Sequence, residues 1–205
     1  MSLTLAQNPK ATSDFQIAPA GNHVAICYQM IDLGQQYSAA YDKWQPKLLL
    51  GWELPHETMS DGRPFMVSSR YTASFHEKAL LRRDLESWRG RPFTDEELMG
   101  FDLKAVLGKP CMVNVVHNQA NNGKTYANVK SIAALPKGME VPEQINSTMV
   151  FEFDSNGIDL EKFYALPEWL QNVICESKEY KTINNESGSE QERDDIDNGG
   201  DDIPF

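Results

Sequence analysis

Aromatic rings and cations occur together at three places in this chain. Tyr37 and Tyr41 precede Lys43, Trp44 and Lys47; Arg70 stands between Ser68 and Thr72; and Lys124, Tyr126, Asn128 and Lys130 recur at every second position. Cations that follow a polyanion, beside rings on which flat bases stack, are the chemistry of single-strand nucleic-acid binding. For each of Tyr37, Tyr41 and Tyr126 the ordinary alternative is a half-buried packing anchor, and residue type leaves both readings open. Ser68, Arg70 and Thr72 supply polar contacts on one face of their strand, and Asn128 does so on its own.

Other chemistries find less support. There is no phosphate-binding glycine loop, no nucleophile elbow, no HExxH and no CxxC. Asp95, Glu96 and Glu97 lie at a helix start, where they meet the helix dipole, and their spacing does not suggest a metal-dependent nuclease. Cys27, Cys111 and Cys175 are widely spaced, as buried thiols of a reducing compartment are. His23 and Cys27 could pair with Cys111 and His117 as zinc ligands, but zinc ligands usually come in close pairs on tight turns. No catalytic residue, metal or cofactor is therefore expected, and the chain reads as a binding protein rather than an enzyme.

The 205 residues carry a formal charge of −11, and that total misleads until it is divided. From Thr182 to Phe205 eight acids face one base, a net of −7, whereas from Arg63 to Lys137 twelve bases face seven acids. A basic middle with an acidic tail is compatible with a nucleic-acid partner. No apolar run reaches the length of a membrane span and the start lacks a secretory pattern, so a cytoplasmic protein is expected.

The elements that must carry these groups follow from periodicity. Residues 1–20 are polar and proline-bearing, and read as a flexible arm. His23–Leu33 reads as a first strand with Val24, Ile26, Tyr28 and Met30 on one face, and 34–43 as its hairpin connection. Trp44–Leu54 is a second strand in which Trp52 joins Leu48, Leu50 and Leu54 on the core side; Trp44 has the same parity but sits at the end. Phe65–Phe75 is a third, with Phe65, Val67, Tyr71, Ala73 and Phe75 inward. The period then turns helical over 76–88, with Ser74 as candidate N-cap and Gly90 as terminator. Arg82 and Arg83 read as solubilising charges on this helix. Arg89 and Arg91 could do the same or extend a phosphate path. Thr94 and Glu97 form a capping box, and 101–108 a helical turn. Two strands, 110–118 and 124–134, close the series through a hairpin at 119–123.

Three strands, a helical insertion and two strands form a mainly β layout, that of a five-stranded OB-fold barrel over residues 21–138. Residues 139–181 read as an extension, with a strand at 147–153 and a helix from Pro167 whose stripe of Trp169, Leu170, Val173 and Ile174 packs on the barrel or on a second subunit. Residues 182–205 are too polar to offset the entropy of ordering and are expected to be disordered.

That polar segment ends on Asp201-Asp202-Ile203-Pro204-Phe205. A solubility tail leaves Ile203 and Phe205 without a purpose. The ending resembles the acidic tip of bacterial and phage single-stranded DNA-binding proteins. The stretches KLLLGWELP, SSRYTASFHEKALLRRDLESWRG, FDLKAVLGKPCMVNVVHN and GKTYANVKSI resemble a phage branch of such proteins. The resemblance implies an OB-fold that coats single-stranded DNA in replication, recombination and repair. It also implies a tip that recruits partner enzymes, with Phe205 in an apolar pocket and Asp201 and Asp202 facing a basic rim. The start of the chain and the long insertion at 76–107 differ from the bacterial pattern, so only the terminal five residues carry over individually. A homo-oligomer is compatible with this reading. A strand-annealing or recombination-mediating protein, and more distantly a nuclease, are the competing readings.

Overall fold

The computed structural model describes residues 16–120, 123–154 and 157–184. The fold is mainly β. Strand β1 (Gly21–Ser38) is the centre, pairing antiparallel with β2 (Lys43–Thr58) on one side and β4 (Pro110–Gln119) on the other. Outside these run β3 (Pro64–Thr72) and β5 (Thr125–Ala133), giving the order β3-β2-β1-β4-β5. A short strand β6 (Met149–Phe151) pairs parallel with β1. The outer strands β3 and β5 approach within 8 Å between Cα atoms, but no ladder joins them, so the sheet is not closed, and of the expected partly open OB-fold barrel the mainly β sheet is what is seen.

Two bulges account for most differences from the periodic reading. A register shift between Cys27 and Gln29 reverses the facing of β1 partway along. Ala25 and Cys27 therefore point into the core with Met30, and the expected single face of Val24, Ile26, Tyr28 and Met30 does not exist. A second shift falls between Asp32 and Gln35, where Gly34 takes φ +66 and its N–H donates to Asp32 Oδ1 at 2.8 Å. Gly34 therefore continues β1 to Ser38 instead of ending it, and the hairpin connection shrinks to residues 39–42. A side chain at Gly34 would also strike Ser177 and Glu179, whose carboxylate accepts from the Gln35 N–H.

The inner face of the sheet is filled by Leu48, Leu50, Trp52 and Leu54 of β2, with Val67, Tyr71, Cys111, Val113, Val115 and Ile132. Helix α1 (Leu80–Arg89) covers this core with Leu81, Leu85 and Trp88. It is pinned by Trp88 Nε1 donating to the Pro110 carbonyl and Ser87 Oγ to that of Ile132. Its N-cap is Ala79, without a side-chain bond. The expected cap, Ser74, instead accepts from the His76 N–H in the preceding turn. Gly90 ends the helix in the left-handed region, and Thr94 and Glu97 complete a capping box on α2 (Asp95–Met99).

A second core lies on the opposite face. Ile31, Leu33 and Leu49 meet Phe151, Phe163 of α3 (Leu160–Ala165), Leu166, and Leu170 and Ile174 of α4 (Glu168–Cys175). The extension thus packs on its own sheet. Its connection is tied down by Glu53, a fully buried carboxylate that accepts from the backbone N–H groups of Ile145 and Asn146 and from Asn146 Nδ2, at 2.6–2.7 Å.

Both ends of the described chain are more ordered than their composition suggests. Ala18 is buried, and the imidazoles of His117 and His23 lie 2.8 and 2.9 Å from the carbonyls of Ala18 and Pro19, so residues 16–20 of the expected loose arm are docked. Residues 178–184 are helical, beyond the boundary drawn at Lys181. The rest of the arm and the acidic tail, including Asp201, Asp202, Ile203, Pro204 and Phe205, lie outside the described residues, as do Asn121 and Asn122. Among the described residues no helix is long and apolar enough to cross a membrane.

Replacing Glu53 with Ala removes the acceptor of three donors, the N–H groups of Ile145 and Asn146 and Asn146 Nδ2. Urea unfolding should show a loss of about 3 kcal/mol. An unchanged midpoint would mean that the extension is held by its apolar contacts alone.

Candidate nucleic-acid interface

Two open troughs run along the outer face, one on each side of α4. The first, about 820 Å³, lies where the β1–β2 hairpin meets the end of β3 and the start of α1. Tyr37, Tyr41, Lys43, Lys47, Arg70 and Thr72 line it, with His76 and Lys78. The second, about 860 Å³, lies between β3, β5 and α4. It is lined by Tyr28, Met66, Ser68, Arg70, Tyr126 and Asn128, and by Trp169 of α4. Arg70 belongs to both. Alternation places its members: Val67 and Tyr71 of β3 turn inward and Met66, Ser68 and Arg70 outward, while on β5 Ala127 and Val129 pack on the core and Tyr126 and Asn128 face out.

Of the twelve residues singled out for DNA contact, Trp44, Lys124 and Lys130 line neither trough. Trp44 stands edge-on to Tyr37 with ring centres 5.7 Å apart, and Lys181 Nζ lies 5.9 Å from its ring. Lys124 joins Tyr126, Thr125 and Ile17 around a smaller cleft of about 520 Å³. Lys130 is exposed on β5.

The trough cations and the helix arginines differ in their partners. Arg82 pairs with Glu86 at 2.9 Å and Arg83 with Asp84 at 3.2 Å, while Arg89 and Arg91 converge on Glu97. Arg89 also lies 4.2 Å from the centre of the Phe93 ring, in a cluster with Phe75 and Phe101. All four arginines thus have acid partners within their own segment; Arg89 is largely enclosed, whereas Arg91 keeps about half of its side chain in solvent. By contrast, Lys47 Nζ donates to the neutral oxygens of Gln45 and Thr72, at 2.9 and 2.7 Å. Lys43 lies 5.7 Å from the Tyr41 ring, and Arg70 lies 5.2 Å from that of Trp169. Among the described residues, none of Lys43, Lys47, Arg70 and Lys78 has a carboxylate within ion-pair distance. Partial burial lowers the Lys47 ammonium below its ordinary range. The acids nearby are few: Asp42 accepts from the Tyr37 hydroxyl, and Glu176 borders the first trough. Among the described residues no acid lines the second.

The zinc reading meets a different geometry. Besides its carbonyl contact, His23 lies 3.1 Å from Glu57. Cys27 and Cys111 are buried free thiols, and burial pushes the Cys27 thiol up to about 12 and that of Cys111 well above the ordinary value. Protonated thiols in an apolar core are packing groups. Among the described residues no group of three or more His, Cys, Asp or Glu side chains could hold a metal ion.

Periodicity missed Trp169, grouping it with the core stripe of α4. Only Leu170 and Ile174 of that stripe are fully buried, and the indole remains 48% exposed. It also missed Tyr28, Met66, His76 and Lys78, which the fold brings to the trough walls from three separate segments. No model of a known protein family matches the chain, and no curated protein sequence does.

Hydrogen bonds from Arg91, the Thr94 N–H and Arg89 lower the Glu97 carboxyl from its ordinary value to about 2. A depressed acid stabilises the fold above its unfolded pKa and loses that contribution as pH falls toward the folded value. Stability should therefore decline between about pH 4.5 and pH 2. The decline should be shallower in Glu97→Gln, as read by thermal unfolding across that range. Parallel curves for the two proteins would show that the arginine cluster is not held by Glu97.

Proposed function

We propose that the protein binds single-stranded DNA along the two troughs and does no chemistry on it. The observation that carries this reading is the gathering, among the described residues, of cations without carboxylate partners beside exposed rings, where the other described arginines pair with acids. An unpaired cation on an open surface retains its charge for an incoming phosphate, and release of condensed counterions then favours binding. Exposed Tyr37, Tyr41 and Tyr126 offer faces to unstacked bases, which duplex DNA keeps hidden.

The strand order supports an OB-type fold opened between β3 and β5, with a helix between the third and fourth strands. In that fold the outer face of the second and third strands, with the β1–β2 and β4–β5 loops, is the customary nucleic-acid surface. The resemblance noted in the sequence points the same way. On that basis the protein coats single strands during replication, recombination or repair in the cytoplasm. By resemblance alone, the segment Asp201-Asp202-Ile203-Pro204-Phe205 recruits partner proteins.

Fluorescence anisotropy with labelled oligothymidine and a duplex of equal length, at several salt concentrations, tests this reading. Single strands should bind more tightly, with log K falling linearly against log salt. Arg70→Gln should weaken binding and reduce that slope by about 1. Preference for duplex, or affinity insensitive to salt, would overturn the proposal. Incubation with magnesium should leave the oligonucleotide intact, and shortening of the strand would replace a binding protein with a nuclease. Deleting residues 201–205 should leave oligothymidine affinity unchanged, since the tip is assigned to proteins and not to DNA.

A further inference from the structure

We propose that Trp169 is a base-stacking platform and that Arg70 is its latch, resting on the indole in the free protein and turning to a phosphate when a base takes its place. This inference rests on the single-strand reading above and assigns distinct tasks to the two troughs.

Leu170 and Ile174, one helical turn apart, fill the second core and fix the rotation of α4. One residue back from Leu170, Trp169 is carried round the helix to the side of β3, where it keeps half of its surface in water above Arg70. Packing requires no tryptophan there, because the two buried aliphatics already occupy the interface. The helix is held firmly. Gln36 Nε2 donates to the Val173 carbonyl at 2.9 Å, and Gln171 Nε2 to that of Leu166 at 2.7 Å. A ring on a fixed helix loses little freedom on binding, which favours a ligand that stacks.

The trough that Trp169 overlooks is walled mainly by neutral side chains. Tyr126 projects from the β5 side, 42% exposed, and Met66 lies on β3, 48% exposed, receiving a hydrogen bond from the Tyr28 hydroxyl at 2.9 Å. Ser68 and Asn128 supply neutral hydrogen-bonding groups. Among the described residues the lining holds one cation, Arg70, and no acid. Such a cleft suits uncharged aromatic faces with polar edges, the description of a nucleobase. The first trough, with Lys43, Lys47 and Lys78, suits phosphates. Arg70 stands where the two meet, so a strand that crosses there can turn its bases under α4 while its backbone follows the lysines.

An exposed cation–π contact is weaker than a base stacked on an indole, and a guanidinium leaving the ring finds a stronger partner in a phosphate. Both steps favour the bound state, and until then the latch shields an otherwise bare indole face.

The test uses the full chain, with oligothymidine and an abasic strand of equal length as probes. Trp169→Ala should weaken oligothymidine binding by about tenfold or more, as loss of one stacked base does. Affinity for the abasic strand and the salt slope should stay as in the parent protein, and Trp169→Phe should restore most of the loss. Arg70→Gln should weaken both strands and lower the slope. A Trp169→Ala protein that binds oligothymidine like the parent overturns the inference and leaves the single-strand reading standing. Equal loss on both strands also overturns it, since the indole would then act through the fold or the backbone path. If the parent protein binds neither strand, both readings fail.

Discussion

Strand β2 is buried on both of its faces, and the rest of the architecture is arranged around that fact. Leu48, Leu50, Trp52 and Leu54 enter the core beneath α1, while Leu49 and Glu53 enter the layer beneath the extension. A strand with one solvated face would expose a continuous sheet surface to any ligand. Here the middle of that surface is occupied by α4 and by the segment held to Glu53, and only the flanks remain open. Backbone amides are strong donors, and a buried carboxylate without them would be unstable. Glu53 is thus both a cost of the second layer and the group that fixes its register.

Electrostatics divides the molecule in a second way. Four arginines on or beside α1 are matched to acids of the same segment, and the aromatic trio of Phe75, Phe93 and Phe101 seats one of them. On the outer face Lys43 and Arg70 rest on rings and Lys47 on neutral oxygens. Residue type does not separate these two groups: Arg70 and Arg89 differ only in what the fold sets beside them. A ring or an amide oxygen holds a cation in place without cancelling its charge, so the outer face keeps a positive character in a chain whose net charge is strongly negative.

The troughs meet at a single side chain, so geometry there has more consequence than elsewhere. The β1–β2 hairpin, β3, β5 and α4 all contribute walls, and these come from segments far apart in the chain. Both bulges of β1 take part. The shift at Cys27 exchanges the faces of the strand, and that at Gly34 carries Tyr37 onto a strand end above the first trough, opposite Trp44.

Much of the fold was legible along the chain. Strands β2, β3, β4 and β5, the capping box at Thr94, the Gly90 terminus and the inward facing of Trp52 and Tyr71 all follow from period-two or helical spacing and from capping chemistry. Such signals are local: they depend on which neighbours a residue meets within one strand or one turn. The same locality explains the errors. Gly34 looks like a breaker in isolation, Ser74 looks like a cap, and residues 16–20 look loose, because the groups that decide each case come from elsewhere.

By itself the sequence determined the alternation that turns Arg70, Ser68, Tyr126 and Asn128 to one side, and the pairing of rings with cations. Tertiary structure alone decided which cations keep their charge available, that the extension packs on its own sheet, and that Trp169 stands over Arg70 instead of inside a core. Periodicity tells a residue which way to point within its own element. What it points at depends on where a second element, distant in the chain, comes to rest.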